Sequence, residues 1–259
     1  MFKQKFLEPS GIVKEDCRVL CQVIEPETVD LVITSPPYNL DIKYDIYKDN
    51  KNYMEYLNFI YSCFKSIYNI MKPDGRVCLN IADLKNGAIP LHYDIFNIMR
   101  KIGYKIYTTI IWYRQQIANR LSWGSYCSPS CPSFPTPFEY ILVFYKDDRK
   151  HSGDKGSITV TTDEFKTNSI SMWDFPPETK AKKLGHPCPF PEELPYRCMQ
   201  MFSYIDDVVF DPFCGVGTTC IVADRLGRKY FGCDISQDYI DLALERITNE
   251  QLCVKSKKN

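Results

Sequence analysis

Apolar positions along this chain follow two alternating rhythms. Val29–Ser35 is short, apolar and β-branched, which predicts a strand buried on both faces. From Tyr53 to Met71 the apolar residues Tyr56, Ile60, Phe64, Ile67 and Met71 recur three or four apart, which predicts an amphipathic helix. Lys72-Pro73-Asp74-Gly75 then has turn chemistry. Arg76–Ala82 reads as a strand, and Leu91–Ile102 as a helix closed by Gly103. Tyr104–Tyr113 and Phe138–Tyr145 are β-rich. Residues 189–202 predict a helix entered through proline. A strand at Asp207–Asp211, a helix at Thr218–Leu226 and a strand at Lys229–Asp234 follow. Ser236 caps a last helix with Ile240, Leu244 and Ile247 on one face, and the tail LCVKSKKN predicts a frayed end.

Strands alternating with helices predict an α/β fold, a mostly parallel sheet covered by helices on both faces. Two stretches break the rhythm. Residues 114–137 hold four prolines and show no period. Loops of that length in a compact domain are functional or disordered, and the Trp, Tyr and Phe here argue against disorder. Residues 146–185 mix charge with the short runs SITVTT and ISMWDF. The 259 residues, 44% of them hydrophobic, suffice for one substantial core with a small appended region.

Composition narrows the class. No run of about 18 uncharged apolar residues occurs, so no membrane helix is expected. The start, MFKQKFLEPSG, lacks the apolar stretch of a signal peptide, and a cytoplasmic protein is expected. The twelve cysteines fit scattered buried thiols better than a disulfide framework. Cys17-x3-Cys21 and Cys127-x3-Cys131 are the close pairs, and neither has zinc-ribbon spacing, so no metal site is expected. Net charge is zero, but its distribution is not even. Residues 100–155 carry nine Lys/Arg against four Asp/Glu, between acidic flanks at 16–50 and 206–250. A basic middle suits a polyanion, as would an ordinary lysine-bearing surface.

Two stretches carry chemistry. VVFDPFCGVGTTC (208–220) is a strand, a turn with Gly215 and Gly217, then a helix start. The glycines let backbone approach a ligand, and free N–H groups at the helix start favour an anionic group. Asp234 ends the next strand, where an acid can bind ribose hydroxyls. A dinucleotide fingerprint would need a third glycine, where Cys220 stands, and the G-K-[ST] of a P-loop is absent. The unit should therefore hold a nucleoside with a small polar tail. The second stretch is LVITSPPYNL (31–40), a buried strand stopped by two prolines that cannot donate ladder hydrogen bonds.

DPFCGVGTT together with TSPPY resembles the cofactor and catalytic motifs of the DNA amino-methyltransferases that use S-adenosylmethionine. The catalytic motif comes first, an order similar to the family's circularly permuted β group. The resemblance covers about residues 12 to 248. It implies a Rossmann-like class I methyltransferase fold with a small target-recognition insertion. Residues 1–145 would form the catalytic half, 146–185 the target-recognition region and 186–259 the cofactor-binding half. HPCPFPEEL (186–194) resembles the segment that packs on the methionine end of the cofactor, with Phe190 at the matching place. Glu15-Asp16-Cys17 stands where the family has Gly-Asp-Cys, so Asp16 would accept from the adenine amino group while Glu15 departs from the pattern. The cofactor set implied is Asp16, Cys17, Phe190, Asp211, Phe213, Gly215, Gly217, Thr218, Asp234 and Ile235.

The target would be an exocyclic amino group, whose lone pair is delocalised into the base. Ser35 Oγ and the Pro36 carbonyl could accept its N–H bonds and free that lone pair, with Pro36 and Pro37 holding φ near about −65°. Tyr38 offers a face for a base flipped out of double-stranded DNA. Serine at the first motif position is typical of the family's N4-cytosine enzymes, and Asp or Asn of its N6-adenine enzymes. N4-cytosine methylation is the leading expectation, N6-adenine methylation the alternative, and a non-catalytic nucleotide- or DNA-binding module a third. Trp112, Arg114, Arg120, Ser122, Trp123 and Ser125 are the expected DNA contacts. The resemblance also allows a homodimer and a cognate restriction endonuclease acting on the same site.

Overall fold

The computed structural model describes residues 11–115, 124–179 and 181–256. In chain order the elements are β1 (Gly11–Lys14), α1 (Cys17–Leu20), β2 (Val29–Thr34), α2 (Tyr53–Ile70), β3 (Met71–Ile81), α3 (Leu91–Ile102), β4 (Lys105–Tyr113), β5 (Phe138–Tyr145), α4 (Thr162–Asn168), β6 (Met172–Asp174), α5 (Ala181–Leu184), α6 (Glu193–Phe202), β7 (Val208–Asp211), α7 (Thr218–Arg225), β8 (Lys229–Asp234) and α8 (Gln237–Ser256). The strands form one sheet in the order β1-β8-β7-β2-β3-β5-β4-β6. Pairing is parallel from β1 through β3, antiparallel at β3–β5 and β5–β4, and parallel again at β4–β6.

Both faces of the sheet are buried, which is why β2 is apolar without alternation. Val32, Val77, Leu79, Leu142 and Phe144 face a core layer built with Tyr56, Ile60, Phe64 and Ile67 of α2 and Ile95 and Met99 of α3. Leu31, Ile33, Cys78, Ile141 and Val143 face the other, with Leu194 and Cys198 of α6, Ile221 of α7 and Ile240 and Ala243 of α8. The three-and-four spacing read from α2 is this buried stripe. Gly103 ends α3 as expected, its N–H donating to the Met99 and Arg100 carbonyls.

Three expectations change. Lys72-Pro73-Asp74-Gly75 does not separate helix from strand but lies within β3. Val29 pairs with Met71 and Leu31 with Arg76, so the four residues bulge opposite Asp30. Lys72 Nζ sits 2.7 Å from the Asp30 carboxylate, and the Pro73 and Gly75 carbonyls accept from Lys146, Asp147 and Asp148. Residues 146–185 are less irregular than their composition suggests. They supply α4 and the edge strand β6, whose Trp173 is buried and donates to the Asn168 carbonyl. At the C-terminus α8 runs through Ser256, so the expected fraying does not begin at Leu252.

His151 ties this second region to the bottom of the sheet. Its Nε2 lies 2.8 Å from Asp207, ahead of β7, and its Nδ1 lies 3.3 Å from Asp74 in the bulge. Burial alone would push this imidazole down, but the Asp207 hydrogen bond and the charges of Asp207 and Asp74 outweigh it and the opposing Arg76, so its pKa is raised. A histidine raised in the folded state stabilises fully below its ordinary range, and the contribution is lost as pH rises through the folded value. Urea unfolding should show His151→Gln clearly weaker than the native protein near pH 6, and the gap should narrow toward pH 9. A gap that does not change with pH would mean that the imidazole is neutral in the fold.

Candidate active site

β7 and β2 lie side by side, yet the chain moves outward from β7 to β8 on one flank and from β2 to β3 on the other. At such a switch point the connections leave in opposite directions and open a crevice at the carboxyl ends of the strands. A cavity of about 1080 Å³ lies there, lined by the segments that follow β1, β2, β3, β7 and β8.

The two strands at the switch point are bolted together. Asp211, 1% exposed at the end of β7, accepts from Thr34 Oγ1 of β2 at 2.7 Å and from Thr219 Oγ1 of α7 at 2.6 Å. The Phe213 N–H adds a third hydrogen bond at 3.1 Å. Burial pushes the Asp211 carboxyl up to about 6, against the pull of these donors. Asp211 was expected among the cofactor ligands; three hydrogen bonds to its carboxylate tie the two motifs together, and it does not line the cavity.

The glycine turn divides in the same way. Gly217 has φ 75° and starts α7, and a Cβ there would lie 2.9 Å from Ala243 Cβ of α8. Its glycine is required by helix packing. Thr218 is buried beside Arg246, whose Nη1 lies 3.3 Å from its hydroxyl. Gly215, at φ 46°, faces the other way, and a Cβ there would lie 3.0 Å from His186 Nε2. Asp211, Gly215, Gly217 and Thr218 thus shape the turn behind the cavity wall, while Asp16, Cys17, Phe190, Phe213, Asp234 and Ile235 line the cavity itself.

Asp234 closes β8 as expected. Its Oδ2 accepts from the Gly215 N–H at 3.1 Å and its Oδ1 from the Ser236 N–H at 2.9 Å. Asp234 also lines the cavity, and its carboxylate has acceptor capacity beyond these two hydrogen bonds. Asp16 is less free. Arg18 Nη2 and Nε hold its two oxygens at 2.6 and 2.9 Å, and this pairing lowers its pKa. Glu15, the departure from the family pattern, accepts the Asp16 N–H through its own carboxylate at 2.9 Å.

At the end of β2, Ser35 Oγ donates to the Tyr38 hydroxyl at 2.8 Å. Its proton is thereby committed, and its lone pairs remain available to a donor in the cavity. Tyr38 OH donates in turn to Glu139 Oε2 at 3.1 Å, and Asn80 Nδ2 donates to both at 2.8 and 2.7 Å. Burial, then the Glu139 charge, raises the Tyr38 phenol well above its usual range and keeps it protonated. Asn80 and Glu139 are missed by motif reading. The one available signal was a polar residue inside each of two apolar strands, VCLNIA and FEYILVF.

The segment after Tyr38 folds over the cavity. The buried Asp49 carboxylate accepts the N–H groups of Asn39, Leu40 and Ile42, and Asn39 exchanges two hydrogen bonds with the Lys51 backbone. Asn39 at φ 61° and Asp41 at φ 57° take the left-handed conformations this curl needs. Asp45 then reaches Ser236 Oγ at 2.7 Å, and Tyr44 packs on His186. His186 is wedged between Tyr44 and Tyr239, and burial lowers its pKa to about 4, so it is neutral at pH 7.

The expected DNA contacts fare differently. Trp112 is only 3% exposed, stacks on Phe175 and donates its indole N–H to the Phe175 carbonyl at 2.9 Å, because β4 is paired on both sides. It is a core residue with an edge on the cavity wall. Arg114 turns inward, with Nη1 3.0 Å from Glu139 and Nη2 3.1 Å from the Thr136 carbonyl. Ser125 braces a local turn through Ser128 O and Cys131 N. Arg120, Ser122 and Trp123 lie outside the described residues.

An open sheet with a glycine turn and an acid on one side of its switch point, and a proline-stiffened serine on the other, defines a Rossmann-like methyltransferase. The profile of the DNA methylase family, which groups N6 and N4 enzymes, matches residues 29–245. The chain belongs to this family. Type II methyltransferase M.MjaI of Methanocaldococcus jannaschii is 30% identical over 273 residues, covering 91% of this chain and 88% of its own. M.MjaVI of the same organism is 42% identical over 156 residues, covering 60% of this chain and 80% of its own. Among solved structures, a Thermus thermophilus protein described as a DNA modification methylase and complexed with S-adenosyl-L-methionine superposes with TM-score 0.76 at 28% identity, over 93% of this chain and 94% of its own. The PvuII cytosine-N4-specific methyltransferase shares the fold, with TM-score 0.69 at 20% identity over 94% and 91%.

Asp211→Ala should lower stability in urea unfolding by about 2–4 kcal/mol, since donors left without a buried acceptor cost about 1–3 kcal/mol each. A loss below about 1 kcal/mol would mean that the switch point holds without it. Because the Asp211 pKa is raised, its contribution is full below its ordinary value of 3.8 and is lost as pH rises through about 6. Asp211→Asn should remove that slope.

Proposed function

We propose that this DNA methyltransferase is the site-specific modification enzyme of a Type II system and methylates the exocyclic N4 amino group of a flipped cytosine. The observation that carries the reading is Ser35 itself, a serine with its proton directed to Tyr38 and its lone pairs free at the mouth of the switch-point cavity. A serine at this place is the mark of the N4-cytosine enzymes within the family that the sequence resembles.

S-adenosylmethionine is the cofactor of this reading, and the cavity fits it. Asp234 lines the cavity as an acceptor for ribose hydroxyls, Phe213 and Ile235 flank it with apolar surface, and Asp16 and Cys17 lie at the same end. Phe190 lines the same cavity, and Gly215 leaves the room that a side chain would fill. When bound, this cofactor supplies an electrophilic methyl group on a sulfonium.

The chain's own residues do the rest. Ser35 Oγ and the Pro36 carbonyl accept the amino N–H bonds and draw the nitrogen lone pair out of conjugation. The two prolines fix these acceptors before the base arrives, so no reorganisation is needed during reaction. The Tyr38 ring supports the base, recovering about 1–3 kcal/mol of the cost of flipping. Holding the amino nitrogen in line with the methyl group supplies orientation. In this reading 1–145 remains the catalytic half and 186–259 the cofactor half. Residues 146–185, with Trp123, Arg120, Ser122 and Ser125 ahead of them, remain the region that reads DNA.

Plasmid DNA treated with the enzyme and labelled S-adenosylmethionine should yield N4-methylcytosine in nucleoside mass spectrometry. N6-methyladenine would overturn the base assignment, and no labelled nucleoside would overturn the activity. Ser35→Ala should bind cofactor normally and lose at least about 10²-fold in transfer rate. Asp234→Ala should weaken cofactor binding in calorimetry by about 10-fold or more, the equivalent of about 1.4 kcal/mol. Unchanged affinity would remove Asp234 from the ribose.

A further inference from the structure

Transfer of a methyl group to an amino nitrogen leaves one proton too many on that nitrogen. Ser35 is connected through Tyr38 to the buried carboxylate of Glu139, and the connection is directional. Ser35 Oγ donates to Tyr38 OH at 2.8 Å, and Tyr38 OH donates to Glu139 Oε2 at 3.1 Å. The Asn80 backbone carbonyl, 3.3 Å from Tyr38 OH, is the more distant of the two acceptors for that hydrogen, and with the hydrogen on Glu139 each hydroxyl gives toward the carboxylate and can take a hydrogen from the cavity side. We infer that Ser35, Tyr38 and Glu139 form a proton relay that removes the surplus proton of the methylated amino group, with Glu139 as its acceptor.

The inference rests on the methyltransferase reading above, and its balance is simple. The nitrogen–carbon bond forms as the carbon–sulfur bond breaks, and the sulfonium becomes a neutral thioether. One N–H proton passes to Ser35 Oγ while the Ser35 hydrogen moves to Tyr38 and the Tyr38 hydrogen moves to Glu139. The carboxylate becomes a carboxylic acid, so positive charge on sulfur and negative charge on Glu139 vanish together. Glu139 later gives the proton to water. A methylated amino cation on a base is strongly acidic because loss of a proton returns the nitrogen lone pair to conjugation with the base, so a carboxylate is basic enough to receive the proton. Tyr38 need not ionise, since it accepts and donates in one exchange. That agrees with a phenol held well above its usual range.

The surroundings fit an anion kept in place rather than a buried accident. Glu139 is 8% exposed on β5, a strand otherwise apolar. Arg114 pairs with its Oε1 at 3.0 Å, and Asn80 Nδ2 donates to its Oε2 at 2.7 Å. The oxygen that faces Tyr38 is thus not the one neutralised by Arg114. The titratable groups around Glu139 are Tyr38, Arg114 and, more distantly, Cys188. Glu139 acts through Tyr38 and Ser35 and is therefore a positioning residue of the reaction.

Two variants test the relay. Tyr38→Phe keeps the ring and removes only the hydroxyl, and Glu139→Gln keeps a hydrogen-bonding shape and removes the charge. Single-turnover transfer to unmethylated plasmid DNA should fall about 10²-fold or more in each, the usual scale of acid–base assistance. Calorimetric affinity for S-adenosylmethionine and filter-binding affinity for the plasmid should stay within about threefold, a split between rate and affinity that a merely structural role would not give. The double variant should lose no more than either single one, because a broken relay cannot be broken twice. Native transfer with an unimpaired Glu139→Gln rate overturns the relay alone, as does a Tyr38→Phe variant with full rate if Glu139→Gln does not fold. Absence of transfer by the native enzyme overturns both the relay and the activity.

Discussion

One buried carboxylate holds this site together. Asp211 joins β2, β7 and α7 through Thr34, the Phe213 N–H and Thr219, so the strand that delivers Ser35 and the turn beside Asp234 cannot move independently. Thr34 and Asp211 are 177 residues apart in sequence and 2.7 Å apart across the sheet. Fixing two remote segments to each other is what orientation catalysis demands, since donor and acceptor of a methyl group must meet in line. Burial raises the pKa of this acid to about 6, a cost that the chain bears at the one place where the sheet changes direction.

The same link explains why the motif order is immaterial to the chemistry. Only the neighbouring strand ends matter, and β7 and β2 are neighbours whichever is made first. The connections run outward from both, so the crevice is bounded by loops from both halves. The curl at 39–51 comes from one half and His186 from the other. They meet through Tyr44, while Asp45 bonds Ser236.

Much of this was legible because it depended on local rules. The buried strand of Val29–Thr34, the stripe on α2, the Gly103 cap and Ser236 ahead of α8 each declare themselves within a few residues. The joint signal of DPFCGVGTT and TSPPY declared the family, and Asp234 stands where a strand-ending acid should. What escaped depended on partners distant in sequence. Lys72–Gly75 has every mark of a turn, yet the carbonyls of Pro73 and Gly75 find donors at 146–148 and the strand absorbs them as a bulge. Gly217 and Thr218 look like ligand contacts until α8 packs on them. Asn80 and Glu139 belong to no motif, and only the antiparallel pairing of β3 with β5 brings them within 2.7 Å.

Arg114 shows how a buried charge redirects its neighbours. Read along the chain, it is an arginine after a strand in a basic stretch, suited to phosphate. In the fold it stands next to an acid that is almost sealed from water, and an unpaired buried carboxylate would cost several kcal/mol. Coulomb attraction at about 3 Å in a poorly solvated site outweighs what a solvent-screened phosphate contact could offer the same side chain. Arg114 therefore belongs to Glu139, and its Nη2 is occupied by Thr136 as well. Removing it would strand the acid rather than loosen a grip on DNA. In the proposed reading, holding a polyanion would fall to the remaining cations of the basic middle, through salt-dependent phosphate contacts.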